Sequence, residues 1–599
     1  MTAATAELWE TLVSLRSRFT FRYSASGRSA ACLVTDGRGF MYVEYWTLSG
    51  AMPGSRAIPG LQWQANSSEP APTDALPFDD GSVLVLAPED LTHVQPDGTA
   101  RSVGPLPFRP DIVAPAPDGS RRVLFIGRDG PADGACASWL WPGPDQPLHE
   151  LGTLPPLLLR GGGWADGNGS GYVVNVRQGR HCRPARYDLT TGECTPLPIT
   201  PSADGDTAWF TARTGAVLLA SEYQGAHRLR LFRQEGPAER LSSLDELSGT
   251  VVPLAMHAGG RWVTLHVREG LREELAVLDT ETDSVSVLDR ATGRGLGAVA
   301  WVDSADEPPE MWAFSIGAGF PCRAVHYRGT ERSEVPDDTP AGGFSAWALS
   351  WLERFPGADG EIEGIVCGHQ DWRTARQVVL ALHGGPAASW SVKFSPLFQL
   401  FAAEGITVVA LNPRGSTGYD EAFHRLIVDR WAGPDLADVL ATARYLRSER
   451  GGGRLALYGA SYGAFLALVA ACAEPELWSR VLAVAPMLSP ERLYTEATPE
   501  VRAMIDRLGG RTPIDDELGP RDVLALLPRL RAEVMIVHGA RDETIPVTQS
   551  RRLVAELSAL GRRPDVDFQY HEVPEAGHGA LDGSAELHQT AARFLSHSE

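Results

Sequence analysis

One type of segment recurs through the first 335 positions, and it limits what that half of the chain can become. It is a short β-branched and aromatic run, seen as GFMYVEY from Gly39, SVLVLAP from Ser82, RRVLFIG from Arg121, GYVVNVR from Gly171, AVLLASE from Ala216, RWVTLHV from Arg261 and EMWAFSI from Glu310. The starts lie 39 to 50 residues apart. Several runs follow turn dipeptides such as Asp36-Gly37, Asp80-Gly81, Asp118-Gly119 and Gly259-Gly260, and several lead into hairpin-like stretches such as LAVLDTETDSVSVL. Each unit then holds about four strands. Four strands per 40–50-residue period is the pattern of a β-propeller, and seven runs predict seven blades. Two stacked β-sandwiches would account for the strands but not for the even spacing.

Past Pro336 the pattern becomes alternating strands and helices. LSWLERF, EIEGIVC, QVVLAL, ITVVAL, RLALYG, VLAVAP, VMIVHG and VDFQYHEV read as strands. The middle ones are unbroken apolar runs of the kind buried on both faces of a parallel sheet. FSPLFQLFAAEG, DLADVLATARYLRSE and SRRLVAELSALG read as helices between them. An eight-stranded, mostly parallel α/β sheet is expected, of the α/β-hydrolase type.

Within that sheet, Gly459-Ala460-Ser461-Tyr462-Gly463 falls at the junction of the fifth strand and the next helix. This is where a GxSxG sequence forms a nucleophile elbow: the turn is too tight for bulky neighbours, and the serine hydroxyl is pushed above the sheet. A serine needs a base, and the base needs a carboxylate to fix its tautomer. Asp542 follows the seventh strand in VHGARDETIPV, and His578 follows the eighth between two glycines in EAGHG. His571 falls inside the eighth strand, and His538, at the end of the seventh, reads as a structural histidine. His571-Glu572 with His578 has the wrong spacing for a zinc helix and is broken by Pro574, so no metal is expected. The oxyanion donors are expected to be the N–H groups of Tyr462 and, in His383-Gly384-Gly385-Pro386 after the third strand, Gly385. His383 itself then reads as structural. Arg414, in the loop after the fourth strand, could brace that loop or contact substrate. Trp431, Met487, Val501 and Ile505 are candidates for an apolar substrate pocket, with core positions the alternative.

Composition narrows the partners. With 75 acidic against 54 basic residues the net charge is −21, which disfavours nucleic acid and anionic lipid. No window holds the ~20 consecutive apolar residues of a membrane span. The seven cysteines are odd in number, scattered and never spaced as CxxC, which fits a reducing, cytoplasmic setting. MTAATAELWETLVSLRSRF spaces its apolar residues as an amphipathic helix and lacks a signal-peptide core. No cofactor is called for, and self-association is left open.

Taken together, HGGP at His383, NPRGSTGYDEAF at Asn412, WAGPDLADV at Trp431, GASYGAFLAL at Gly459, HGARDETIPV at His538 and EAGHG at Glu575 resemble the successive motifs of the prolyl oligopeptidase family of serine peptidases. The HGGP form is similar to the acylaminoacyl-peptidase and dipeptidyl-peptidase-like branches. The resemblance implies a propeller capping the hydrolase so that only small peptides or acyl-peptides reach Ser461. It also implies that an N-terminal helix packs on the hydrolase. The expected segments are therefore residues 1–22 as that helix, 23–336 as propeller and 337–599 as the catalytic domain. Two departures bear on substrate. Where some acylpeptide-cleaving relatives carry an arginine two residues past the catalytic aspartate, this chain has Thr544. The one candidate for the paired propeller glutamates of dipeptidyl peptidases, Glu273-Glu274, reads as an ordinary strand start. The same triad would equally serve an esterase or acyltransferase acting on an ester, thioester or natural-product amide.

Overall fold

The computed structural model describes residues 11–596 apart from 13–14, 37–39, 50–52, 65–71, 89, 129–133, 145, 180, 200–204, 224–225, 235, 293, 305–308, 318–319, 336–346 and 582–584. Seven four-stranded antiparallel sheets come first, then one sheet of eight strands. The molecule is a seven-bladed β-propeller followed by an α/β-hydrolase domain.

Each blade is a meander of consecutive strands. The seven occupy residues 16–64, 74–104, 110–154, 157–196, 206–240, 250–292 and 294–334. The recurring apolar run forms the second strand in six blades, with both flanks paired; burial is nearly complete in Val123–Arg128 and about half in Trp262–Glu269. In the first blade GFMYVEY supplies the third strand, Phe40–Thr47.

Among the described residues no strand is exchanged between the first and last blades, and side chains and loops close the ring. Tyr23 Oη donates to the Ala298 carbonyl at 2.9 Å, Asp303 N–H donates to the Ser26 carbonyl at 2.8 Å, and Phe21 stacks on Phe314. Gly27 has φ +70° at this seam, and a Cβ there would lie 2.1 Å from the Trp301 carbonyl oxygen.

The expectation of a helix over residues 1–22 is corrected in its second half. Arg16–Tyr23 is the innermost strand of the first blade, and helix is present at residues 11–12; residues 1–10 lie outside the described set. The helical spacing of the first apolar residues gives way at SRFTFRY to alternation with a period of two. That alternation places Arg18 in a buried ion pair with Glu44 at 2.6 Å, which Trp46 Nε1–H also supports at 3.0 Å. Leu12 and Leu15 are buried in a cluster with hydrolase residues including Val392, Phe594 and Leu595. The expected boundary at 336/337 falls among residues outside the described set.

The hydrolase strands are β1 (Leu349–Pro356), β2 (Glu361–Gly368), β3 (Gln377–Leu382), β4 (Ile406–Asn412), β5 (Leu455–Ala460), β6 (Trp478–Val484), β7 (Glu533–Gly539) and β8 (Phe568–Val573), in the sheet order β1-β2-β4-β3-β5-β6-β7-β8. From β4 onward neighbours run parallel. Two cores sandwich the sheet: Val378, Leu380 and Leu382 of β3 face one, and Val379 and Ala381 the other. An unbroken apolar run is what such double burial demands. The parallel strands end together at one edge, where the loops after β3 and β5 touch each other, as do those after β7 and β8.

Candidate active site

Ser461 lies between β5 and the helix Tyr462–Ala473 at φ 57°, ψ −122°, a conformation that costs a non-glycine residue of order 1–3 kcal/mol. The surrounding packing holds it there. Its N–H donates to the Val484 carbonyl at 2.8 Å, and its carbonyl accepts from Ala464 and Phe465. The flanking glycines are required by space: a Cβ on Gly459 would lie 2.2 Å from the Gly463 carbonyl oxygen, and one on Gly463 would lie 2.2 Å from that of Leu382. The second contact sets the elbow helix directly against the end of β3.

The loop leaving β3 therefore begins beside the serine. A Cβ built on Gly384 would come within 3.6 Å of Ser461 Cβ. Gly385 follows at φ +123°, exposed to solvent. Tyr462 is the first residue of its helix, so its N–H has no acceptor within the helix. Its side chain is fixed deep below: Oη donates to Asp435 Oδ2 at 2.6 Å and accepts the Ala432 N–H at 2.9 Å. Burial, followed by the nearby Asp435 charge, raises the Tyr462 phenol well above its usual range. Burial likewise pushes Asp435 up to about 6 despite the tyrosine bond.

His578 and Asp542 are joined at 2.7 Å from Nδ1 to Oδ2. The carboxylate is fully enclosed: Oδ1 accepts the N–H groups of Thr544 and Ile545 at 2.8 and 2.9 Å, and His538 Nε2 stands 3.3 Å from Oδ2. Burial alone would raise its pKa, but the hydrogen bonds from His538, His578 and Ile545 outweigh it and hold the carboxyl well below the usual range. An ionised Asp542 accepts from Nδ1–H, which leaves Nε2 of His578 as the free basic nitrogen. Burial lowers His383 to about 4, so it is neutral near pH 7; its ring contacts the Gly384 carbonyl and Ser416 Oγ.

Sequence reading did not find what sets the histidine loop. Gly539 ends β7, and a Cβ there would lie 2.1 Å from the Gly577 carbonyl oxygen and 2.3 Å from that of Ala576. Arg541 N–H donates to the same Ala576 carbonyl at 3.0 Å, and Ala540 N–H to that of Val573 at 2.9 Å. The loops carrying Asp542 and His578 are thus pressed together backbone to backbone. A glycine at the very end of a buried strand is the signal that marks such an approach. His538 is held by its own bonds, Nε2–H donating to the Ile545 carbonyl at 2.8 Å and Nδ1 meeting Ser550 Oγ at 2.7 Å, and its ring closes off Asp542 on that side.

The pocket expectations are corrected. Trp431, Met487 and Ile505 are 3%, 2% and 0% exposed and belong to the core beneath the elbow, while Val501 is half-buried against that core. Trp431 meets Tyr462 edge-on at 5.4 Å and donates to the Leu508 carbonyl. The Arg414 guanidinium is committed to Asp438, with Nε 3.0 Å from both carboxylate oxygens, and to the Pro434 carbonyl. It braces the loop. Glu273 stands 3.3 Å from His266 and Glu274 is paired with Arg290. Among the described residues no group of three or more His, Cys, Asp or Glu side chains could hold a metal, and no helix is long and apolar enough to cross a membrane.

Comparison with known proteins gives a consistent picture. Residues 392–597 match the model of the prolyl oligopeptidase family. The chain is 26% identical over 234 residues to dipeptidyl peptidase family member 6 of Caenorhabditis elegans, covering 37% of this chain and 31% of that one. It is 22% identical to the rat acylamino-acid-releasing enzyme over 53% of this chain and 45% of that one. The chain spans about a third of the length of the first curated relatives it matches. In structure it superposes on the acylaminoacyl peptidase of Pyrococcus horikoshii with a TM-score of 0.74 at 16% identity, covering 99% and 98% of the two chains.

Proposed function

We propose that this chain, whose residues 392–597 match the model of the prolyl oligopeptidase family, is a serine peptidase that cleaves small peptides or acyl-peptides through an acyl-enzyme on Ser461. The observation that carries the reading is the pairing of a serine held at positive φ in a two-glycine elbow with a His578–Asp542 couple of 2.7 Å at the same sheet edge. In this reading His578 Nε2 removes the Ser461 hydroxyl proton as Oγ attacks the carbonyl carbon. The oxyanion is received by the N–H groups of Tyr462 and Gly385. His578 then passes its proton to the leaving amine, and a water repeats the sequence to release the acyl group. Asp542 stays ionised and holds the imidazole in the required tautomer. The seven-bladed ring limits the size of substrate that reaches the edge. None of the seven cysteines is joined in a disulfide, which fits a reducing, cytoplasmic setting.

A fluorophosphonate probe tests the reading. It should label the native chain stoichiometrically and leave Ser461→Ala unlabelled; equal labelling of the variant would overturn the nucleophile. A panel of aminoacyl, acyl-aminoacyl and ester chromogenic substrates then separates peptidase from esterase, and a chain that turned over esters alone would contradict the peptidase assignment.

A further inference from the structure

The sixth blade reaches into the hydrolase at one point. Its strands Trp262–Glu269 and Arg272–Asp279 are joined by the two-residue turn Gly270-Leu271. Such a tip is ordinarily solvent-exposed, yet Leu271 is 2% exposed and packs in the hydrolase core. Its N–H donates to Glu363 Oε2 at 2.9 Å, and Gly270 N–H donates to the Gly418 carbonyl at 2.8 Å. Positive φ favours glycine at both positions. Gly270 has φ +62° with its Cβ direction ending 2.3 Å from Glu363 Oε2, and Gly418 has φ +88° with its Cβ direction ending 2.4 Å from Arg268 Cζ.

Arg268, at the end of the first of these strands, crosses to the loop that leaves β3. One guanidinium nitrogen donates to Ser389 Oγ at 2.9 Å and to the Trp390 carbonyl at 3.4 Å, while Nε is anchored on the hairpin's own Gly270 carbonyl at 3.0 Å. The loop it holds is the one carrying Gly384 and Gly385. Inside the hydrolase that loop is held to the end of β4 and the loop after it, through Thr417 N–H to the Ala388 carbonyl, the exchange of hydrogen bonds between Trp390 and Asn412, and His383 to Ser416, and to β3 through Trp390 Nε1–H to the Ala381 carbonyl at 3.0 Å. The two loops brace each other, and the propeller hairpin braces both.

We propose that Arg268 is a positioning residue contributed by the propeller, which fixes the Gly384–Ser389 loop so that the Gly385 N–H stands where the oxyanion develops. The inference rests on the peptidase reading above. A glycine-rich loop has many accessible backbone states, and a donor displaced by about 1 Å forfeits on the order of 10²-fold in rate. A guanidinium bridging a side chain and a carbonyl at the loop's far end removes that freedom.

The test compares Arg268→Ala, Arg268→Lys and Ser389→Ala on a short acyl-aminoacyl anilide and on a peptide boronate, whose tetrahedral adduct places an oxygen in the oxyanion site. For Arg268→Ala, kcat should fall about 10- to 100-fold with KM within about twofold, and boronate affinity should fall by a similar factor while product-peptide affinity is retained. Arg268→Lys should recover part of the loss. Ser389→Ala should reproduce most of it, and the double variant should be no worse than the poorer single one. A kcat within about twofold of wild type in Arg268→Ala overturns the inference, as does a loss that leaves boronate affinity unchanged or that simply adds to that of Ser389→Ala. If Arg268→Ala does not fold, Ser389→Ala decides by the same criteria. A wild-type chain that is not labelled at Ser461 brings down the peptidase reading and this inference with it; with labelling intact, the Arg268 comparison judges the inference alone.

Discussion

Asp542 is the residue whose surroundings speak most directly about chemistry. A surface turn carboxylate accepts one or two N–H groups, whereas this one is enclosed and accepts two backbone N–H groups, His578 and an approach from His538. Asp542→Asn keeps the shape but offers Nδ1 of His578 no anionic acceptor, so the wrong tautomer is favoured. Its kcat should fall about 10⁴-fold on a short peptide substrate with little change in KM, and a loss under tenfold would remove Asp542 from the mechanism. His383 gives a second outcome, in stability. Its pKa of about 4 in the folded chain lies below the ordinary 6.5, so the unfolded chain takes up the proton first. The contribution is fully present above about pH 6.5 and is lost as pH falls toward 4, by up to about 3 kcal/mol. Denaturant unfolding followed from pH 7 to 4 should show stability declining, and His383→Gln should flatten that decline by about one proton's worth of slope.

At the level of elements, the end of β7 is as important as the residues beyond it. Gly539→Ala inserts a Cβ into the carbonyls of Ala576 and Gly577, and the only relief is to move the histidine loop off the aspartate loop. Steady-state assays should show kcat/KM down about 10²-fold or more, with a smaller relative change in fluorophosphonate-independent measures such as the thermal midpoint. Elements of this kind also mark what a sequence reveals. The middle hydrolase strands and the repeated runs were legible because burial forces their apolar patterns. The placement of Ser461, Asp542 and His578 in loops at one sheet edge was legible because each follows a strand that ends there. Arg16–Tyr23 was not, since Leu12 and Leu15 carry a helical spacing straight into the residues where the period changes to two. Trp431, Met487 and Ile505 were ambiguous because apolar residues near a site satisfy a core and a pocket equally well. Gly539 and Arg268 escaped because their significance depends on what another segment brings within 3 Å of them.

For the molecule as a whole, a ring of seven blades joined to the hydrolase should act as a filter. Peptides below about 30 residues are expected to be cleaved, while denatured casein and folded proteins are not; equal turnover per bond on casein and on a short acyl-peptide would show that access is unrestricted. Entry then requires the domains or blades to part, on the microsecond to millisecond scale of such motions. The burial of Leu12 and Leu15 in a cluster that also holds Phe594 and Leu595 has a consequence for biosynthesis. Each blade is made of consecutive strands and is complete as soon as its own residues have been translated. The two leucines, by contrast, are made near the start, and the cluster that buries them is completed only with Ala591, Phe594 and Leu595, when the chain is nearly finished. At roughly 5–20 residues per second that interval is on the order of half a minute or longer. During it the nascent chain exposes an apolar segment next to a ring whose first blade is already built, so that segment is where a ribosome-associated chaperone would find its longest-lived target.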